Sequence, residues 1–103
     1  RMSRVSGYMA DELTGAYITI GGRVVISGDA NIETPLLGNG AFYFDEVPPG
    51  SYVVSIVDVA GYNPINKLLD IEEGEGDVDL GWFAGKAIPK SMWGVHNDYE
   101  EEA

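Results

Sequence analysis

The stretch Gly40-Ala41-Phe42-Tyr43-Phe44-Asp45-Glu46-Val47-Pro48-Pro49-Gly50-Ser51-Tyr52-Val53-Val54-Ser55-Ile56 decides how this chain folds. Phe42 and Phe44 stand two apart, as do Tyr52, Val54 and Ile56, and residues two apart share one face of a strand. The spacing predicts two strands that turn aromatic and aliphatic rows to a common inner layer, with roughly 1.5–3 kcal/mol gained per fully buried side chain. Between them, Pro48 and Pro49 have no amide donor and cannot sit inside a ladder, so Pro48-Pro49-Gly50 is a reversal. Gly61-Tyr62 is expected to break the longer strand.

Outward from this stretch the same punctuation repeats. Gly21-Gly22, Gly28-Asp29 and Gly38-Asn39-Gly40 supply the torsions that reversals demand, and short β-branched and aromatic runs lie between them. Strands are predicted over Val5–Met9, Ala16–Ile20, Arg23–Ser27, Ile32–Leu37, Ala41–Phe44, Ser51–Val59, Leu68–Ile71 and Asp77–Phe83. Many short strands at such regular spacing read as an all-β sandwich or barrel. No helical stripe of useful length precedes residue 84.

The totals agree with one small domain. A chain of 103 residues has room for a single core, and 45% hydrophobic residues with 14 Gly is the composition of a folded, turn-rich protein. There is no cysteine, which removes disulfides, thiolate metal sites and cysteine nucleophiles. Seventeen acids against six bases leave a formal charge of -11, which repels phosphate backbones and anionic headgroups. Nucleic acid is therefore not an expected partner. No run of apolar residues reaches membrane-spanning length and no leader segment is read ahead of the first strand, so no membrane insertion is expected.

The central motif resembles that of the carboxypeptidase regulatory-like family, the transthyretin-like or prealbumin-like sandwiches related to collagen-adhesin B-type modules. Its residues are Gly40, Phe42 and Phe44, then Val47-Pro48-Pro49-Gly50 with Tyr52, then Gly61-Tyr62. Val5-Ser6-Gly7-Tyr8 and Leu13 to Ile18 are similar to that family's opening strands, and Leu69 to Gly74 with Val78-Asp79-Leu80 fall where its last two would lie. The resemblance implies a Greek-key β-sandwich of about seven to eight strands over residues 1–83, followed by an aromatic and then acidic C-terminal extension over 84–103. Between Ile20 and Gly40 this chain has material for two strands where the family has one. The resemblance carries no peptidase activity, since catalysis in that family belongs to a separate domain.

Candidate chemistry is sparse, and no enzyme or cofactor is expected. His96 is the sole histidine and has no neighbouring ligand pattern, and no serine sits in a G-x-S-x-G elbow. Asp70, Glu72, Glu73, Glu75, Asp77 and Asp79 form an acidic run around Gly74 and Gly76. Calcium favours carboxylates on a flexible loop, but the spacing fails the EF-hand pattern and reads more simply as the wet tip of a hairpin.

A sheet with one face in water should alternate apolar with polar, and several of these strands do not. Tyr43 points away from Phe42 and Phe44, while Val53 and Val57 point away from Tyr52. After Trp82-Phe83 the extension adds Ile88, Met92, Trp93 and Tyr99, residue types that anchor interfaces. These nine residues are the expected contact surface. They imply a structural or assembly module that docks on a larger complex through an outer sheet face and its tail, in an extracellular, cell-surface or virion-associated setting or as an accessory subunit. The partner would be another protein or a further copy of the chain. The alternative is a carbohydrate-binding or adhesion module in which exposed Trp82, Trp93, Tyr8 or Tyr62 stacks on sugar.

Overall fold

The computed structural model describes residues 2–93. Seven strands are present among them: β1 (Ser3–Asp11), β2 (Gly22–Gly28), β3 (Ile32–Leu36), β4 (Ala41–Val47), β5 (Gly50–Val57), β6 (Ile65–Ile71) and β7 (Val78–Gly85), followed by a 3-10 turn at Lys90–Met92. They form two sheets, one ordered β4-β1-β7 and the other β3-β2-β5-β6. The chain crosses between sheets after β1, β3, β4 and β6, so neither sheet is a simple meander. β1 and β7 pair in parallel; the other pairings are antiparallel. The Greek-key sandwich expected from the sequence is thus realised with seven strands.

The inner layer is the one that the two-residue spacing implied. Phe42 and Phe44 from β4 meet Tyr52, Val54 and Ile56 from β5, and all five are at most 4% exposed. Phe83 completes an edge-to-face aromatic group, its ring centroid 5.5 Å from that of Phe42. Gly7 of β1 faces this group, and a Cβ there would lie 2.7 Å from Phe42 Cζ, so glycine is needed where the ring crosses the strand. Tyr52 sends its hydroxyl back to the Pro48 carbonyl at 2.6 Å. That bond ties the proline reversal to the core and satisfies a buried phenol whose pKa is raised by desolvation and by the charge of Asp29.

One expected strand is absent. Residues Ala16–Ile20 make a single antiparallel bridge, Ala10 with Tyr17, and no ladder. The reason lies just upstream: the Asp11 carboxylate accepts the amides of Leu13 and Thr14, folding the chain into a tight turn, and Gly15 follows with φ +74°. The segment then lies along β1 only as far as Ile18, which donates its amide to the Met9 carbonyl and is buried. Other bounds move modestly. β6 begins at Ile65, ahead of the predicted Leu68, and β5 ends at Val57 because Asp58 turns the chain with φ +58° while its carboxylate accepts from Arg23 at 2.8 Å. The two strands expected between Ile20 and Gly40 are β2 and β3.

β7 contains the irregularity that matters most for the molecular surface. Ser6 pairs with Asp79 and Tyr8 with Trp82, so three steps on β7 match two on β1 and a bulge sits at Leu80-Gly81. Gly81 has φ +68°, a torsion that favours glycine, and its amide bonds to the Asp79 carboxylate at 2.9 Å. Strict alternation from Asp79, which points outward, would aim Trp82 inward and Phe83 outward. The bulge reverses this: Phe83 is fully buried and Trp82 is 46% exposed.

Candidate functional site

The outer face of the three-stranded sheet is built from β4, β1 and β7 around Ser6 and Tyr8. Ser6 lies between Tyr43 and Asp79, and Tyr8 between Ala41 and Trp82. Tyr17 folds over from the post-β1 loop, its ring 5.6 Å from that of Tyr8 at 74°, an edge-to-face contact. Trp82 is held by its indole N–H, which donates to the Ala10 carbonyl at 3.1 Å. Tyr8, Tyr17 and Tyr43 line a depression of about 420 Å³ together with Ser6, Gly7, Asn39, Ala41 and Asp79, and Trp82 stands beside Tyr8 outside this lining. Asn39 accepts the Ala41 amide through its carbonyl oxygen at 3.0 Å. Among the described residues, no side-chain hydrogen bond engages the hydroxyls of Ser6, Tyr8, Tyr17 or Tyr43.

Behind this face, Lys67 of β6 crosses the open edge between the sheets. Its ammonium donates to the carbonyls of Leu80 at 3.0 Å and Trp82 at 2.6 Å, and lies 4.5 Å from the Phe83 ring centroid. These are the two carbonyls that flank Gly81, so the lysine clamps the bulge that aims Trp82 outward.

A second surface lies where the extension leaves β7. Tyr62 bridges Ala87, the Ile88 amide donates to the Gly61 carbonyl at 2.8 Å, and the Trp93 indole donates to the Ile88 carbonyl at 2.8 Å. Tyr62, Ile88, Pro89, Met92 and Trp93 line an open, mainly apolar cradle of about 860 Å³, with Lys90 among its lining residues. The Tyr62 hydroxyl donates to Asp11 Oδ2 at 2.7 Å. That bond, with those from the Thr14 and Leu13 amides, holds the Asp11 carboxyl below the usual carboxylate value, and it raises the Tyr62 phenol in turn.

The residues expected to form one contact surface are therefore scattered. Tyr43 lines the aromatic depression, and Trp82 pairs with Tyr8 beside it. Val53 and Val57 are half-buried on the outer face of the four-stranded sheet, where Val53 pairs with Leu68, a side chain 82% exposed. Ile88, Met92 and Trp93 belong to the cradle. Phe83 is no surface residue: the bulge turns it into the core, where it is fully buried. Tyr99 lies outside the described residues, as does His96. Of the calcium candidates, Glu75 accepts the Glu72 amide and Asp77 accepts the Arg4 amide, while Asp70 projects from β6. Among the described residues no three histidines, cysteines or carboxylates converge where a metal ion could sit. Nor is any described helix long and apolar enough to cross a membrane.

Sequence reasoning passed over Tyr17, Asn39 and Lys67 as parts of a site, and read Asp79 only as a member of the acidic run. One signal was available for the bulge: Gly81 in the interior of the predicted strand, two residues after an aspartate. Nothing local could have brought Lys67 to it, because that contact crosses between sheets.

No family model matches the sequence, and no curated protein does. Among solved structures, a candidate carbohydrate-binding protein from Bacteroides uniformis superposes with a TM-score of 0.64 at 16% identity, over 82% of this chain and 41% of that one. Two interface mutants of a type II cohesin–X-dockerin complex from Acetivibrio cellulolyticus also match. One gives a TM-score of 0.57 at 24% identity over 82% of this chain and 58% of that one. The other gives 0.52 at 24% identity over 78% and 52%. At these identities the likeness establishes a shared β-sandwich fold, and this chain spans between 41% and 58% of the length of the chains it matches.

Proposed function

We propose that this chain is a non-catalytic docking module of the carboxypeptidase regulatory-like kind, serving an extracellular, cell-surface or virion-associated assembly. The family reading rests on the motif running from Gly40 to Tyr62, whose Phe42, Phe44 and Tyr52 do the packing that the motif requires. The single observation that carries the docking role is the open cradle. Met92 and Trp93 are each 56% exposed beside Tyr62, although no side chain of the buried hydrophobic cluster lies beyond Phe83. Apolar and aromatic surface of this size at one place marks contact with another molecule. The outer face of the four-stranded sheet, with Val53, Val57 and Leu68, offers the same partner a second, flatter contact. Lys86 and Lys90 flank the cradle, which makes the reading testable by amine-reactive cross-linking of the protein in its native assembly. Stoichiometric cross-links from these two lysines to one partner protein are expected. A native particle with the mass of a lone chain, in which Lys86 and Lys90 give only internal links, would refute it.

A second reading, carbohydrate binding, is favoured by a different observation: three tyrosine rings line a depression on the three-stranded sheet together with Ser6, Asn39 and Asp79, and Trp82 stands beside Tyr8. The fold likeness to the candidate carbohydrate-binding protein from Bacteroides uniformis supports it. The two readings use different surfaces and are compatible in one molecule.

A further inference from the structure

We infer that the depression lined by Tyr8, Tyr17 and Tyr43, with Trp82 beside Tyr8 on the same face, binds a neutral saccharide chain, an inference that rests on the carbohydrate reading and specifies its site and ligand class. Four observations converge on it. The rings are outside the core: Tyr17 is 61% exposed, Tyr43 52% and Trp82 46%, so they contribute little to folding. They are nevertheless held in place, Trp82 by its bond to the Ala10 carbonyl and by the bulge that Lys67 clamps, Tyr17 by its edge contact with Tyr8. Rigid aromatic side chains present a large contact area at low entropic cost, and a fixed surface ring suits the flat C–H face of a sugar.

Between the rings lie groups that suit hydroxyls. The Ser6 hydroxyl, the Asn39 NH2 group and the phenol hydroxyls of Tyr8, Tyr17 and Tyr43 have no side-chain hydrogen bond among the described residues. A ligand that offers apolar C–H faces and many donors and acceptors together satisfies both kinds of group, which a purely apolar ligand would not. The small residues Gly7 and Ala41 in the lining let such a ligand lie close to the sheet.

Charge sets the class. Among the described residues the only ionised group lining the depression is the Asp79 carboxylate, and it already accepts the Gly81 amide. Among the described residues no cation lines the depression to meet a uronate, sulfate or phosphate, and the chain's charge of -11 opposes a polyanion from a distance. An uncharged glycan is the ligand that both the lining and the net charge admit.

The acidity of the chain makes native affinity electrophoresis a direct test, because the unliganded protein migrates readily and a gel-borne polysaccharide retards it. The full chain and its Tyr43→Ala and Trp82→Ala variants would be run in gels carrying neutral probes (hydroxyethylcellulose, mixed-linkage β-glucan, arabinoxylan, galactomannan) or anionic ones (alginate, polygalacturonate). Retardation by at least one neutral probe is expected, weakened roughly tenfold or more in apparent affinity by each variant. Tyr43 makes no side-chain hydrogen bond among the described residues, so its variant remains informative if Trp82→Ala disturbs the bulge. Retardation that both variants retain would keep the carbohydrate reading and overturn this site. Retardation by the anionic probes alone would overturn the neutral class. Migration unaffected by every probe would overturn both the inference and the carbohydrate reading.

Discussion

Tyr62 couples the end of β1 to the start of the extension, its hydroxyl on Asp11 and its backbone bridged to Ala87. The pair has a definite pH signature. Asp11 titrates below its ordinary value, chiefly because Tyr62 donates to the ionised form, so its contribution to stability is present above the unfolded carboxylate value and is lost as pH falls through the folded one. The Tyr62 phenol is raised, first by the bond to Asp11 and then by burial. Its contribution is present below the unfolded phenol value of about 10 and is lost as pH rises through the folded one. Tyr62→Phe removes both effects. The gap in urea midpoint between wild type and variant should be widest near pH ~7 and narrow towards pH ~3 and above pH ~10. A gap that stays constant across that range would mean that the hydroxyl stabilises by packing alone.

At the scale of the element, β7 shows how one inserted residue sets two fates at once. Without the bulge at Leu80-Gly81 the parallel pairing with β1 would put Trp82 in the core and Phe83 in water. The Asp79 side chain, the positive torsion at Gly81 and the two bonds from Lys67 all favour the bulged register. Lys67→Met keeps much of the stem that lies along the sandwich edge but removes the charged donor. It should cost about 1.5–3 kcal/mol, the range for hydrogen bonds to a charged group. It should also change Trp82 emission in the folded protein, since the indole environment depends on the bulge. A variant as stable as wild type, with unaltered emission, would show that Gly81 and Asp79 suffice. The bulge was only faintly legible beforehand: Gly81 hinted at it, whereas its lysine clamp joins β6 of one sheet to β7 of the other.

At the scale of the whole molecule, the question is whether the extension belongs to the core or to the surface. Every member of the buried cluster lies at or before Phe83, but β7 runs on to Gly85, and its last two residues pair with Ala10 and Asp11. A chain ending at Lys86 should fold, losing about 1–2 kcal/mol from the Ile88 amide bond and the Tyr62–Ala87 bridge. A chain ending at Phe83 should lose distinctly more, because Gly85 covers Met9 at the sheet end. Thermal or urea unfolding of the two truncations separates these cases. If the longer one already fails to fold, the extension is a core element and the docking role assigned to its cradle falls.

The inner layer was legible from the order of residues alone. Phe42 with Phe44, and Tyr52 with Val54 and Ile56, pack as their two-residue spacing demands, and Pro48-Pro49 could be nothing but a reversal, because pleat and amide chemistry are local properties of the chain. Position on the outer face was legible for Tyr43 on the same ground. What the tertiary structure alone decided is which exposed rings meet. Tyr17 reaches Tyr8 only because the post-β1 segment became a loop instead of a strand. Trp82 joins them only because β7 slips by one residue against a parallel neighbour more than seventy positions away in sequence. Such contacts depend on register between distant strands, which is set by packing and hydrogen bonding across the whole sandwich, and no short stretch of sequence encodes it.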